Sequence, residues 1–135
     1  MKLSTKGRYG VTLMIDLGMN FGEGPVSLKS VAERQSLSEH YLEQLIAPLR
    51  NAGLVRSIRG AYGGYVLAKE PKDITVGDII RVLEGPINIV DDQDEDLAEL
   101  WERVRDAINV VLDGTTLQDL IDKKRNGGET IMYYI

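Results

Sequence analysis

Between Ser36 and Leu67 the chain reads SLSEHYLEQLIAPLRNAGLVRSIRGAYGGYVL, and this stretch constrains the fold more than any other. Its hydrophobic period changes from helical to strand-like at Gly53. Leu42, Leu45, Ile46 and Leu49 fall at i, i+3, i+4 and i+7, which predicts one buried stripe on a helix. Ser38 is placed to cap that helix through its hydroxyl. At roughly 100° per residue the opposite face carries His40, Gln44, Ala47 and Asn51, flanked by Tyr41 and Glu43. Beyond Gly53, Leu54, Val55, Ser57 and Ile58 lead into Arg59-Gly60-Ala61-Tyr62-Gly63-Gly64, and Tyr65, Val66 and Leu67 return. Glycines at 60, 63 and 64 suit a tight turn between two strands.

The segment before this helix supplies a partner for it. Ser27 caps Leu28, Val31 and Ala32 at helical spacing, and Gln35 closes a short helix. Ser36-Leu37-Ser38 is then a tight connection, with Leu37 free to fill the angle between the helices. Pro48 removes a hydrogen bond inside the second helix, which predicts a kink near Gln44 or a helix that restarts there. Two helices, a short turn and a glycine-tipped hairpin make a winged helix-turn-helix. The expected fold is mainly α with a small β-hairpin. A phosphate-cradling nucleotide loop does not fit, because no Gly-Lys-Ser/Thr ending and no helix follow the glycines.

The polar face has the chemistry of base recognition. Gln can bond adenine, Glu can accept from cytosine N4, and an Ala methyl can meet a thymine methyl. Ser38, His40, Tyr41, Glu43, Gln44 and Ala47 are therefore the candidate groove contacts on the helix. Arg56, Arg59 and Tyr62 on the wing, with Lys2, Lys6 and Arg8 at the N-terminus, are placed to meet phosphate or a narrow minor groove. The competing interpretation is a solvated surface helix without a ligand.

Charge bears on that choice. The formal net charge of −5 is unusual for a DNA-binding chain. Residues 1–70 hold nine Lys or Arg against six Asp or Glu, a net of +3, and residues 71–135 hold seven against fifteen, a net of −8. A local basic patch is sufficient for phosphate binding. No apolar run approaches the roughly 20 residues that span a bilayer. No charged-then-apolar leader opens the sequence, so a cytoplasmic location is expected. One histidine and no cysteine leave few nucleophile–base arrangements, so an enzyme is not expected.

The flanks divide the chain into residues 1–86 as the DNA-binding domain, 87–96 as an acidic linker, and 97–135 as a dimerisation helix and tail. From Tyr9 to Phe21, the residues Val11, Met14, Ile15, Gly18 and Phe21 mark a first core helix, which Gly22-Glu23-Gly24-Pro25 breaks. Thr75 with Asp78 resembles a capping box that opens a helix through Ile79, Ile80 and Leu83. Leu97, Leu100, Val104, Ala107 and Val111 follow heptad spacing, widened by Trp101, Ile108 and Leu112. That face exceeds what a small domain covers, so Leu97, Leu100, Trp101, Val104, Ile108 and Val111 are read as a homodimer seam. Thr116 with Asp119 caps a last helix, expected to break at Gly127-Gly128 before a strand-prone tail from Thr130 to Ile135.

Three stretches together carry a family resemblance: MKLSTKGRYG, then GPVSLKSVAERQSLSEHYLEQLIAPLRNAGLVRSIRGAYGGYVLAK, then ITVGDIIRVLEGP. They resemble the Rrf2 family of bacterial winged-helix regulators, over about residues 1–86. The family includes iron–sulfur and nitric-oxide sensors and a repressor of cysteine metabolism. The resemblance implies base and backbone contacts by His40, Tyr41, Glu43 and Gln44 of the helix and Arg59 of the wing. Some relatives carry serine where this chain has His40, which implies a different operator.

The chain also departs from the family. Cluster-binding members carry three cysteines after the EGP motif, whereas this chain reads INIVDDQDEDLAEL. Carboxylates do not replace thiolates as cluster ligands, so no iron–sulfur cofactor is expected. Asp91, Asp92, Asp94, Glu95 and Asp96 suit a hard cation less well than a solvated helix start, and no metal site is expected. The cysteine-free, acidic C-terminal half is most similar to the cysteine-metabolism branch. That resemblance implies a dimeric repressor on double-stranded DNA, with cysteine synthase (O-acetylserine thiol-lyase) as its co-repressor. The alternatives are a regulator of another regulon with a directly bound effector, or a winged helix that binds protein instead of DNA.

Overall fold

In the computed structural model, residues 4–89 and 95–134 are described, the last seven of them as backbone alone. Lys2, Asp91, Asp92, Asp94 and Ile135 lie outside the described residues. The order of elements is α1 (Thr5–Met19), α2 (Leu28–Gln35), α3 (Glu39–Asn51), β1 (Val55–Ile58), β2 (Gly64–Leu67), α4 (Val76–Glu84), α5 (Ala98–Gly114) and α6 (Leu117–Tyr134). A single 3-10 turn, Pro71–Asp73, links the hairpin to α4.

Helix α1 runs through the centre, against α4 on one side and α6, α3, α2 and β2 around it. Leu13, Met14 and Leu17 meet Val31, Leu42, Leu45, Leu49, Ile74, Ile79 and Leu83 in one core. The helix face differs from the expected one. Its buried line is Gly7, Gly10, Leu13, Met14, Leu17 and Gly18, while Val11 and Ile15 are half-buried and Phe21 lies beyond the helix, 45% exposed. Glycine is the reason. A methyl group on Gly10 would overlap Leu83 of α4, so the bare backbone is what lets the two helices approach.

Helix α3 buries Leu42, Leu45, Ile46 and Leu49, the four positions of the predicted stripe. The restart expected at Gln44 does not occur, since α3 is unbroken from Glu39 to Asn51 with Pro48 inside it. Pro48 stands in the last turn, and the carbonyl it deprives of a partner belongs to exposed Gln44, where water can serve. Its own carbonyl accepts from the Ala52 amide at 3.0 Å.

The strands pair antiparallel, Val55 with Leu67, Arg56 with Val66, Ser57 with Tyr65 and Ile58 with Gly64. Val55 and Leu67 turn inward to the core. Val26 adds a short third rung that sequence periodicity does not signal: its N–H donates to the Tyr65 carbonyl at 2.9 Å, and Tyr65 N–H donates back at 2.8 Å. Gly64, at φ +157°, has no room for a side chain because the Val26 carbonyl occupies the space.

Residues 97–135 do not behave as one appended unit. Helix α5 contains no buried residue, whereas Leu117 and Ile121 of α6 return to the core beside α1. Ile87, read as linker, is also buried. Thr75 and Thr116 form an isolated antiparallel bridge, with Val76 N–H donating to the Thr115 carbonyl at 2.9 Å and Leu117 N–H to Ile74 at 2.8 Å. The break at Gly127-Gly128 and the strand from Thr130 are corrected too, because α6 stays helical to Tyr134. Its first turn is fixed by reciprocal Thr116–Asp119 bonds at 2.9 and 3.0 Å and by two buried anchors. Propagation from such a start tolerates glycine at about 1 kcal/mol per residue.

Candidate nucleic-acid interface

The helix-turn-helix is set by local chemistry at each joint. Ser27 Oγ accepts from the Ser30 amide at 3.1 Å, and Ser38 Oγ accepts from the Tyr41 amide at 2.9 Å. Between the helices Ser36 takes a left-handed conformation, φ 54° and ψ 44°, and the Leu37 N–H donates to Ala32 at 3.1 Å. Leu37 packs against the core, as its position in the turn predicts.

The angle of α2 on α1 has a polar lock that local periodicity does not signal. Asp16 is 4% exposed in an otherwise apolar helix. Its carboxylate accepts from Arg34 Nε at 3.0 Å and Nη2 at 2.7 Å, and from Gln35 Nε2 at 3.1 Å. Burial alone would push the Asp16 carboxyl up. The bonds from Arg34 and Gln35, with the charges of Arg34 and Lys124, outweigh burial and hold it below the usual carboxylate range. The same bond raises Arg34 above the usual guanidinium value. The only sequence sign was a lone acid inside VTLMIDLGM.

With the apolar stripe buried, α3 turns His40, Glu43, Gln44 and Asn51 to solvent and leaves Ala47 half-buried. The His40 ring lies 3.3 Å from the Gln44 amide nitrogen and 4.0 Å from the Glu43 carboxylate. Tyr41 is placed differently. It is half-buried, its ring meets Tyr9 edge-to-face at 5.9 Å and 88°, and its hydroxyl lies 3.4 Å from Thr5 Oγ1. Tyr41 thereby docks the first turn of α1 beside the start of α3, and that turn carries exposed Lys6 and Arg8.

The wing separates its cations. Arg59 is exposed at the turn with Tyr62, which is 94% exposed. Arg56 stands at the root, facing a 280 Å³ cavity shared with Asn20, Phe21 and Val66. Lys6, Arg8, Arg56 and Arg59 make no ion pair among the described residues. One surface thus combines a hydrogen-bonding helix face, a basic helix start and a cationic hairpin. That combination suits a grooved polyanion.

Helix α5 presents the second surface. Arg81 of α4 reaches both Asp113 oxygens, at 2.6 and 2.9 Å, and Asn109 Oδ1 at 2.8 Å. The contact lowers the Asp113 carboxyl and raises the Arg81 guanidinium from their usual values. Trp101, Val104, Ile108 and Leu112 are half-buried, while Leu97, Leu100 and Val111 are 43%, 44% and 65% exposed. At about 100° per residue Leu100, Val104, Ala107 and Val111 fall on one side, away from Asn109 and Asp113. The seam predicted from heptad spacing is therefore partly uncovered on this chain, at Leu97, Leu100 and Val111.

Residues 3–123 match a family described as "Rrf2: Iron-dependent Transcriptional regulator". The chain belongs to the Rrf2 family. It is 62% identical, over the full length of both chains, to the HTH-type transcriptional regulator CymR of Bacillus subtilis. A solved structure of B. subtilis CymR, described as the global cysteine regulator, superposes with a TM-score of 0.82 at 63% identity, covering 90% of this chain and 97% of that one. A T. potens IscR structure gives 0.79 at 60% identity, covering 92% and 88%. The Rrf2 protein described here is accordingly a winged-helix transcriptional regulator and not an enzyme. The chain has no cysteine, and its lone histidine sits on the exposed face of α3. Among the described residues no helix is long and apolar enough to cross a membrane.

Proposed function

We propose that this Rrf2 protein is a dimeric repressor that reads an inverted-repeat operator and controls genes of cysteine and sulfur metabolism. The observation that carries the DNA-binding part is the exposed polar face of α3 beside the cations of α1 and the wing, which make no ion pair among the described residues. A dimer follows from the uncovered face of α5. Joining two copies there covers Leu100 and Val111 and relates two recognition helices by a two-fold axis, which calls for two half-sites of matching symmetry. Repression is steric, the dimer occupying DNA that the polymerase needs.

Ser38 caps the recognition helix, while His40, Glu43, Gln44 and Ala47 face the groove. Tyr41 orients α3 and α1. Arg59 and Tyr62 of the wing and Lys6 and Arg8 of α1 meet the backbone or minor groove, with Arg56 at the wing's root. The likeness to CymR supports the regulon. With no cysteine on the chain to ligate a cluster, sensing is assigned to a partner, cysteine synthase acting as co-repressor in the cytoplasm.

Genome-wide mapping of bound sites tests the regulon, and sites beside sulfur-uptake and cysteine-synthesis genes are expected. Sites confined to iron–sulfur assembly genes would overturn it. A pull-down and gel shift with purified cysteine synthase tests the partner. The assignment fails if the enzyme neither binds nor changes operator affinity.

A further inference from the structure

The only histidine of the chain stands between the two side chains best equipped to read bases. His40 Nε2 lies 3.3 Å from Gln44 Nε2, and His40 Nδ1 lies 4.0 Å from Glu43 Oε2. All three are exposed, with Glu43 and Gln44 one turn beyond His40 on α3. An amide nitrogen only donates, so this contact is a hydrogen bond in the tautomer that leaves Nε2 free to accept and carries the ring proton on Nδ1, the side that faces the Glu43 carboxylate.

We propose that His40 is a specificity-determining residue that acts by positioning the Gln44 amide. One Gln44 N–H is held by His40, which orients the amide plane and stops its oxygen and nitrogen from exchanging places. The carbonyl oxygen and the second N–H are left for the groove. An adenine edge offers an N6 donor and an N7 acceptor in fixed order, and a glutamine meets both only when its own order matches. Without His40 the amide flips freely and the order is lost. Gln–Asn pairs at this i, i+4 spacing also bond, so asparagine at position 40 should restore part of the function.

This inference rests on the proposal that Gln44 reads a base, and the experiment keeps the two apart. Wild-type protein and the variants His40→Ala, His40→Asn, Gln44→Ala and His40→Ala/Gln44→Ala are used to select ligands from a random duplex pool, and sequencing gives the base preference at each position. Expected for Gln44→Ala is loss of preference at one base pair per half-site. His40→Ala should reduce preference at that same pair about fivefold, within the range one bidentate contact supplies. His40→Asn should recover part of it, and His40→Ala should add nothing in the Gln44→Ala background. If Gln44→Ala leaves all preferences intact, base reading by Gln44 fails and takes this inference with it. If Gln44→Ala loses preference and His40→Ala does not, only the positioning role falls. It falls equally if His40→Ala changes another base pair, or acts undiminished in the double variant, because His40 then meets DNA itself.

Discussion

Helices α3 and α5 are both amphipathic, yet the fold treats their apolar stripes in opposite ways. Every member of the α3 stripe is at most 2% exposed, while α5 has no buried residue at all. An apolar face that the chain does not cover must be covered by something else, or it becomes an aggregation hazard. On the dimer proposed above, the contrast separates residues that hold one copy together from residues that hold two copies together. Removing a leucine should therefore have different consequences in the two helices.

The largest effect is expected at Leu45, which is 0% exposed. Leu45→Ala should cost about 2–5 kcal/mol in urea denaturation, at any protein concentration. Leu100→Asp should leave the helix-wing unit folded by circular dichroism but yield monomers in sedimentation. Its operator affinity should fall at least about tenfold, since a lone half-site contact no longer gains from its twin. A variant that stays dimeric would remove the α5 seam from the proposal. If Leu100→Asp instead unfolds like Leu45→Ala, the contrast between the two helices is wrong.

Asp16→Asn sharpens the comparison within the DNA-binding unit, and its effect should be about 1–2 kcal/mol, moderated because Arg34 is 47% exposed. The sign with pH follows from the lowered folded value of Asp16. The carboxylate's contribution is fully present above the usual unfolded value near 4, and is lost as pH falls through the lower folded value. Wild-type stability should decline below about pH 4 more steeply than that of Asp16→Asn, measured by thermal melts across pH 2–7. Parallel curves would show that the lock contributes nothing through its charge. The smallest change is expected for Arg59→Ala. It should weaken binding to operator and random DNA alike and reduce the salt slope by about 1 in a titration, with no change in melting.

The sequence disclosed those parts of the fold whose signals are local. The α3 stripe, the caps at Ser27, Ser38, Thr75 and Thr116, and the hairpin all follow from residues a few positions apart. What it concealed was long-range. Gly7 and Gly10 carry no apolar signal, yet they lie on the face that α1 buries. Val26 pairs with Tyr65 across the whole helix-turn-helix, and no periodicity around Val26 announces a strand. Helix α6 looked broken at two glycines because propensity does not register anchoring at Leu117 and Ile121. The candidate groove residues were legible as a polar face. Tyr41 was not separable from them, since only the fold brings Tyr9 and Thr5 against it.

The Arg81 clamp on Asp113 and Asn109 has a further meaning once α5 is the joint between two copies. It sets the tilt of α5 on α4, and the bridge from Thr75 to Thr116 pins the chain just beyond the same end of α5. In a dimer built on α5, that tilt determines how far apart the two α3 helices stand. Half-site spacing is then a property of a contact remote from the DNA. A lineage could move to operators of different length by altering position 109 or 113 while leaving every groove-facing side chain untouched.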